Sequence, residues 1–534
     1  MDQENELLEE FAEATPPSMA TSDQRVIVGQ TGQNILGLVI GATATFIAQI
    51  FMSHRLGKDA YGVVTVATQF AFIAAAATRF GMDVANVRLI SILVGREEGG
   101  RARGLARRAA AIATAVSVPF AILALLAAPW LAEAFSGLPE VATPAFRWAA
   151  VTVPFAALAF TYMGATRGLK IMRYTLFAQW IAQPIGWILV TVAIWAVAAA
   201  TAGWASAAFA ISWVMALVIA YWGWAREQRK LPREIVGDGI PEESPRALWK
   251  FGALRAPGTL FSQLLFWTDL FVLSYLMAPL GAAGASQVGV YSAVLRAAQS
   301  LFLFLTSVSL TLSPFVADLH HRGEREHLNK LYRQVTRWTL AATVPVLLVL
   351  IVMPGQVLRI FGPEYVSGAS ALRIVALGMI APVMVGTVGF ILIMAGRTGW
   401  DLLVYLAALV IDISIALALA QPDVLGVRGA AIAQACTLTF SAIARLFLVR
   451  RFLQIWPFDL NYLRLIVPTV AGGAVMLAVH MVVPEARWFI NLLVASAAGA
   501  AAYLGLVLAV GLAPGEKTVV RKKVATLRAR QAAG

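Results

Sequence analysis

The chain has 534 residues, of which 59% are hydrophobic and only 13% are charged. A soluble domain of ordinary composition carries about 25% charged residues, so this composition excludes that class and indicates a polytopic membrane protein. Long unbroken apolar runs, rather than alternating segments of about ten residues, favour membrane helices over a barrel of strands. The single cysteine, Cys436, excludes an internal disulfide.

Apolar runs of membrane-spanning length recur along the whole chain. About 20 apolar residues are needed to cross a hydrocarbon core about 30 Å thick, and fourteen runs meet that length. Predicted spans one to fourteen lie at about 27–52, 60–82, 106–131, 144–165, 175–199, 203–224, 251–278, 288–317, 335–353, 370–395, 401–420, 428–449, 463–483 and 488–512. The predicted fold class is therefore an all-α polytopic membrane protein with 14 transmembrane helices.

The loops between these spans give the orientation. With the N-terminus inside, 33 of the 42 Lys and Arg residues fall in the inside segments and 7 in the outside segments. This asymmetry predicts that both termini are cytoplasmic in a multi-pass protein of the cell membrane. The net charge of +13 is thus explained by topology and by affinity for membrane lipids, and no nucleic-acid partner is predicted.

Polar segments divide the chain into lobes. The predicted organisation is an acidic, disordered cytoplasmic tail at 1–24, an N-lobe at 25–225 with spans one to six, a cytoplasmic linker at 226–250, a C-lobe at 251–451 with spans seven to twelve, spans thirteen and fourteen at 452–513, and a basic cytoplasmic tail at 514–534. The linker contains three prolines and mixed charge, which is typical of a connection between domains.

An internal repeat supports two pseudo-symmetric six-helix lobes. Five landmarks recur at offsets of 226 to 228 residues: Gly62 and Gly289, Phe135 and Phe361, Arg147 and Arg373, Pro154 and Pro382, Gly168 and Gly396. Six spans per repeat give the two lobes parallel orientation, so we expect a pseudo-two-fold axis along the membrane normal and a site between the lobes. The matched prolines predict equivalent bends in spans four and ten.

Two charges lie deep inside neighbouring spans. Asp269 is about 11 residues from the loop that joins spans seven and eight, and Arg296 is about 8 residues from it on the other side. At about 1.5 Å per residue both fall well inside the hydrocarbon core, within one turn of each other in depth. Because charges in lipid are costly, such residues usually face a partner or a wet cavity. We interpret the pair as lining a substrate cavity; a purely structural ion pair is the alternative.

Further polar residues follow stripes on the first two spans of each lobe. The substrate-binding candidates on these stripes are Gln30, Asn34, Gln49, Gln69, Arg255, Gln263 and Gln299, beside Asp269 and Arg296. Packing between membrane helices is the alternative role for such positions. Asp412 in span eleven is a candidate coupling residue, as are Arg79 and Asp83 near the inner end of span two, where snorkelling is the alternative.

The sequence contains no nucleotide-binding loop, no zinc-ligand spacing and no convincing catalytic set. The protein is therefore not predicted to be an enzyme, and no cofactor or metal is expected.

Two stretches carry a family resemblance. RLGKDAYGVVTVA after span one and MPGQVLRIFGPEYVSGASALRIVALG across spans nine and ten resemble the polysaccharide transporter family of the MOP flippase superfamily. VGVYSAVLRAAQSL in span eight is similar to the same family. The resemblance covers about residues 25 to 512.

The resemblance implies a flippase that moves a lipid-linked oligosaccharide, a polyprenyl-diphosphate sugar, from the cytoplasmic to the outer leaflet by alternating access. It also implies a polysaccharide polymerase or glycosyltransferases as partners in surface polysaccharide biosynthesis. Two alternatives stay open: a cation-coupled exporter of small molecules from the same superfamily, and a non-transporting membrane scaffold.

Overall fold

The structure is a computed structural model, and the described residues form helices without any strand. It describes the backbone of residues 21–232, 244–321, 324–395, 397–484 and 487–511, with side chains except at 21–39, 254, 302–321 and 394. The predicted all-α polytopic class is confirmed.

The first part of the chain contains nine helices. They are α1 Thr21–Thr78, α2 Met82–Gly95, α3 Gly99–Leu126, α4 Ala128–Ser136, α5 Pro139–Gly168, α6 Arg173–Val197 with a π-helical segment at Leu176–Ala182, α7 Ala202–Glu227, α8 Pro245–Met277 and α9 Ala282–His321. Prolines at the first turns of α5 and α8 suit helix starts, because the missing N–H would have no intrahelical partner there. Ser244 caps α8 by accepting a hydrogen bond from the N–H of Ala247 (3.2 Å).

The second part continues in the same way. Its helices are α10 Arg325–Val352, α11 Pro354–Arg359, α12 Ala369–Gly378, α13 Ile380–Val385, α14 Val388–Met394, α15 Thr398–Leu419, α16 Val427–Leu453, α17 Ile466–Val482, preceded by a short turn at Leu460–Leu463, and α18 Trp488–Leu506.

Among the described residues, twelve helical segments are long and apolar enough to cross a membrane. One of them, Ile40–Thr78, runs through predicted spans one and two, which are separated only at Gly57, where φ is +70°. Predicted span eight lies in α9, whose side chains are described only as far as Leu301. The number of fourteen spans therefore stays a prediction.

The chain divides into two compact units. Unit one contains the described residues up to Ser292 together with Gln421–Asp423, and unit two contains Ala293–Ala420 and the described residues from Val424. The division falls within α9, whereas the predicted lobes meet at the 226–250 linker, of which residues 233–243 lie outside the described residues. The predicted lobe boundaries therefore stay a prediction.

The chain ends differ slightly from expectation. The helix α1 begins at Thr21, so the last residues of the predicted tail at 1–24 are helical, because they continue the helical run into span one. Residues 1–20 and the predicted basic tail at 514–534 lie outside the described residues.

The repeat is visible in the helix pattern of the two halves. The short helices α4 and α11 stand at equivalent positions, each just before the span that follows. The matched prolines behave differently, since α5 runs unbroken through Pro154 while the segment around Pro382 is split into α12, α13 and α14. Gly386 (φ +63°, ψ −129°) makes one of these breaks, in a conformation that residues with a side chain rarely adopt.

Within unit one, α8 packs along the helices of the first half. At its start, Gly252 lies under the ring of Phe80, and the Phe80 and Trp249 ring centroids are 4.9 Å apart. Towards its end, Phe271 meets Phe135 edge to face at 5.8 Å. These contacts fix the helix that carries Asp269.

Candidate functional site

Asp269 lies on α8 and is fully buried. Its carboxylate accepts a hydrogen bond from the hydroxyl of Tyr291 on α9 and another from the N–H of Leu270 (2.9 Å). Tyr291 is also fully buried. A buried carboxylate requires such donors, because its desolvation is otherwise costly, and this one joins the two helices on either side of the short loop.

Arg296 lies on α9, five residues after Tyr291, and is partly exposed. Its Nη1 donates a hydrogen bond to Oε1 of Gln299 (3.1 Å), one turn further along the helix. This contact brings together two of the predicted binding residues and holds the guanidinium beside a side-chain amide. Because Asp269 belongs to unit one and Arg296 to unit two, we describe their surroundings separately.

The start of α9 is fixed against span two by a pair of glycines. A Cβ added to Gly62 would lie 2.7 Å from the N of Gly289, and one added to Gly289 would lie 1.8 Å from the carbonyl O of Lys58. The two backbones therefore touch directly, which only glycine permits. These are the same two glycines that occupy equivalent positions in the sequence repeat.

The remaining binding candidates of unit one are placed on α1 and α8. Gln69 is buried, seven residues after Gly62, while Arg255 and Gln263 are half-buried on α8. Arg255 lies against Gly81, where an added Cβ would come within 3.2 Å of the Arg255 Cβ. The helix α1 includes Gln30 and Asn34, whose side chains lie outside the described residues.

Gln49, on span one, is 2% exposed. Within the described parts of the chain, its Nε2 has no hydrogen-bond partner. An unsatisfied buried donor costs about 1–3 kcal/mol, so this amide is the best-defined free donor among the predicted binding residues.

Arg79 and Asp83 form an ion pair at the junction of α1 and α2, with Nε 3.4 Å from Oδ1. The side chains are only 11% and 8% exposed, and the Arg79 guanidinium lies 4.6 Å from the centre of the Phe160 ring. Arg167, which sequence reasoning treated only as a loop cation, interacts electrostatically with both. The three charges make a half-buried cluster, an arrangement different from a lone residue that snorkels.

Asp412 is fully buried on α15, and Thr437 of α16 donates a hydrogen bond to its Oδ1 (3.2 Å). The sequence offered no partner for this carboxylate, because Thr437 lies 25 residues away on the next helix.

Sequence reasoning missed two ion pairs between helices. In unit two, Arg445 Nε on α16 is 2.7 Å from Asp401 Oδ1 on α15, with both side chains at most 10% exposed. In unit one, Arg173 Nη2 on α6 is 2.6 Å from Glu227 Oε1 on α7.

Arg173 and Asp401 differ by 228 residues, the offset of the predicted repeat. Each pair therefore joins the fifth and sixth spans of its own repeat, with the charges exchanged between the helices. The offset was the available signal for this correspondence.

Comparison with known proteins places the chain. The family model described as polysaccharide biosynthesis protein matches residues 28–320. The chain belongs to this family. A second family model, MatE, matches residues 259–417 of the polysaccharide biosynthesis protein. A comparison with curated proteins found no match.

Solved structures of MOP superfamily transporters share the fold of this polysaccharide biosynthesis protein. An inward-facing multidrug resistance MATE family transporter matches with a TM-score of 0.65 and 18% identity, covering 79% of this chain and 98% of that chain. The lipid II flippase MurJ in an inward closed conformation matches at 0.62 and 14% identity, covering 90% and 98%. A MOP superfamily transporter from Pyrococcus furiosus matches at 0.60 and 18% identity, covering 80% and 95%.

The polysaccharide biosynthesis protein is thus a multi-pass membrane transporter of the MOP superfamily, and the family and its structural neighbours are transporters and flippases rather than enzymes.

Proposed function

We propose that this protein moves a lipid-linked oligosaccharide from the cytoplasmic to the outer leaflet of the cell membrane by alternating access, with both termini cytoplasmic. The observation that carries the proposal is the polysaccharide family match over residues 28–320, which contains both Asp269 and Arg296. A polysaccharide polymerase or glycosyltransferases would then supply or consume the moved molecule.

The residues around Arg296 suit the head of such a substrate. A polyprenyl-diphosphate sugar has phosphate oxygens that accept hydrogen bonds, and a guanidinium presents five N–H donors in a planar fork that fits them. Gln299 already contacts Arg296 (3.1 Å) and supplies an amide for a sugar hydroxyl. Arg255, Gln263, Gln69 and Gln49 are the further polar groups that we assign to the sugar and phosphate.

Asp269 acts in this proposal through the hairpin of α8 and α9. Its bond with Tyr291 fixes the helix that carries Arg296 five residues later. When no substrate is bound, the carboxylate is also the counter-charge that we assign to the guanidinium of Arg296.

The membrane potential provides a driving force in the proposed direction. An inside-negative potential favours outward movement of a diphosphate, at about 2.3 kcal/mol per charge per 100 mV. Two charges therefore give roughly 4 to 5 kcal/mol, enough to bias the step without a nucleotide.

Arg296→Ala and Asp269→Ala are each expected to reduce flipping of a labelled lipid-linked oligosaccharide about tenfold in vesicles that contain the purified protein. Loss of one charge-assisted contact corresponds to about 1.5–3 kcal/mol. Arg147→Ala, which removes an exposed arginine of α5, is the matched control and should flip normally. Near-normal flux in both site variants would rule out the central role given to these residues.

A small-molecule exporter is the second candidate, because the MatE model matches residues 259–417 and MATE transporters share the fold. The same vesicles separate the two functions. Uptake of small organic cations without movement of labelled lipid-linked sugar would establish the exporter and overturn the flippase.

Asp412 is our proposed coupling residue, with Arg79 and Asp83 as a second charged cluster. Asp412→Asn keeps a hydrogen-bond acceptor for Thr437 but removes the charge. We expect transport by this variant to lose its dependence on an imposed proton or sodium gradient, measured as the ratio of flux with and without the gradient. An unchanged ratio in a gradient-dependent wild type would remove Asp412 from coupling.

A further inference from the structure

One surface of unit one brings aromatic and basic side chains together at the end of three helices. The rings of Tyr162 on α5 and Tyr221 on α7 are 5.2 Å apart and meet edge to face. Arg107 on α3 is close enough to Tyr162 for an electrostatic interaction. The cation and the two phenol groups therefore share one region of the surface.

The three residues also share one depth. Arg107 is eight residues after the first residue of α3, while Tyr162 and Tyr221 are six residues before the last residues of α5 and α7. At about 1.5 Å per residue, all three lie roughly 9–12 Å from the helix ends. These ends are the ones predicted to be cytoplasmic.

A second aromatic and cationic pair adjoins them on α7. Trp222 follows Tyr221 directly, and the Arg226 guanidinium lies 5.5 Å from the centre of its ring. Tyr221 and Trp222 are 52% and 55% exposed. In the part of the chain that the structure describes, neither Arg107 nor Arg226 forms an ion pair, whereas Arg173 and Lys230 nearby both bind Glu227.

We propose that this headgroup patch, formed by Arg107, Tyr162, Tyr221, Trp222 and Arg226, binds an anionic phospholipid of the inner leaflet. A lipid phosphate accepts hydrogen bonds from guanidinium groups and phenol hydroxyls. Tryptophan and tyrosine rings favour the depth at which headgroups meet acyl chains. The general inside excess of cations explains the arginines, but it does not explain the aromatic groups gathered at the same depth.

The proposal uses the proposed orientation of the chain but not the proposed substrate. Basic side chains near an anionic membrane surface contribute about 1 kcal/mol each, which corresponds to about fivefold in affinity. Removing both arginines should therefore weaken binding about 25-fold.

The test is native mass spectrometry of the full-length protein in detergent, titrated with phosphatidylglycerol or phosphatidylcholine. We expect selective retention of phosphatidylglycerol, about 25-fold weaker in Arg107→Gln/Arg226→Gln and nearly unchanged in Arg107→Lys. Arg147→Gln on α5, at the opposite end of that helix, is the control and should bind like the wild type. Thermal midpoints of all variants show whether each is folded.

Two results would overturn the proposal. One is equal retention of phosphatidylglycerol by the folded double variant and the wild type. The other is displacement of phosphatidylglycerol by an equimolar polyprenyl diphosphate, since this would assign the patch to the lipid-linked substrate. Because lipid retention is measured without transport, failure of the flippase proposal leaves this test unaffected.

Discussion

Gly289→Ala is expected to destabilise the protein by about 3 kcal/mol, at the upper end of the usual range for overpacking. The added methyl group would lie 1.8 Å from the carbonyl O of Lys58 and 2.7 Å from its carbonyl C, and these backbone atoms cannot move aside as a flexible side chain can. Span two and α9 would have to separate at their crossing point. The thermal midpoint of the purified protein in detergent measures the effect.

Gly104→Ala is the matched control for this variant. Gly104 also lies within a helix, but no atom is found within 4 Å of its added Cβ. Alanine is favoured over glycine in a helix by about 0.5–1 kcal/mol, so this control should be as stable as the wild type or slightly more so. Equal midpoints for Gly289→Ala and Gly104→Ala would show that the two backbones are not in contact.

Arg445→Ala is expected to cost about 3–5 kcal/mol, the usual effect of removing one partner from a buried ion pair. Asp401 would remain 4% exposed without its guanidinium, and the contact of that guanidinium with the Tyr405 ring (4.4 Å) would also be lost. The helices α15 and α16 should separate at this end. A lower thermal midpoint and a smaller folded fraction on size-exclusion chromatography would report the loss.

The double variant Asp401→Leu/Arg445→Leu provides the sharper comparison. Since it removes both charges and fills the space with apolar groups, it should recover much of the stability lost by Arg445→Ala. Lys330→Ala, which breaks the exposed pair with Glu326 on α10, should change little. A midpoint for Arg445→Ala equal to that of Lys330→Ala would contradict a structural role for the buried pair.

The helices could be predicted because their signal is local. Apolar runs of about 20 residues gave the positions of the helices from α3 to α8 and from α15 to α18, with ends displaced by a few residues. The junction of spans one and two was also anticipated, although not its reduction to Gly57 alone. In lipid, backbone groups must be satisfied within the segment, which leaves few options besides a helix.

The partners of the buried polar groups were harder to predict, because they depend on helix register in three dimensions. Asp269 was identified from its depth, but its donor Tyr291 appeared in the sequence only as an aromatic residue 22 positions away. Arg445 was counted as a loop cation, since its acidic partner lies 44 residues earlier. Charge composition shows that such groups need partners, and only the packing of the helices selects them.

The exchanged charges of Arg173–Glu227 and Asp401–Arg445 have a consequence for the ancestry of the two halves. If an ancestral half was duplicated, both pairs descend from one interface, and the signs were reassigned while attraction was kept. The halves have therefore ceased to be interchangeable parts. A chimera that put α15 in the place of α6 would set Asp401 against Glu227, two carboxylates at a junction that each half closes with one.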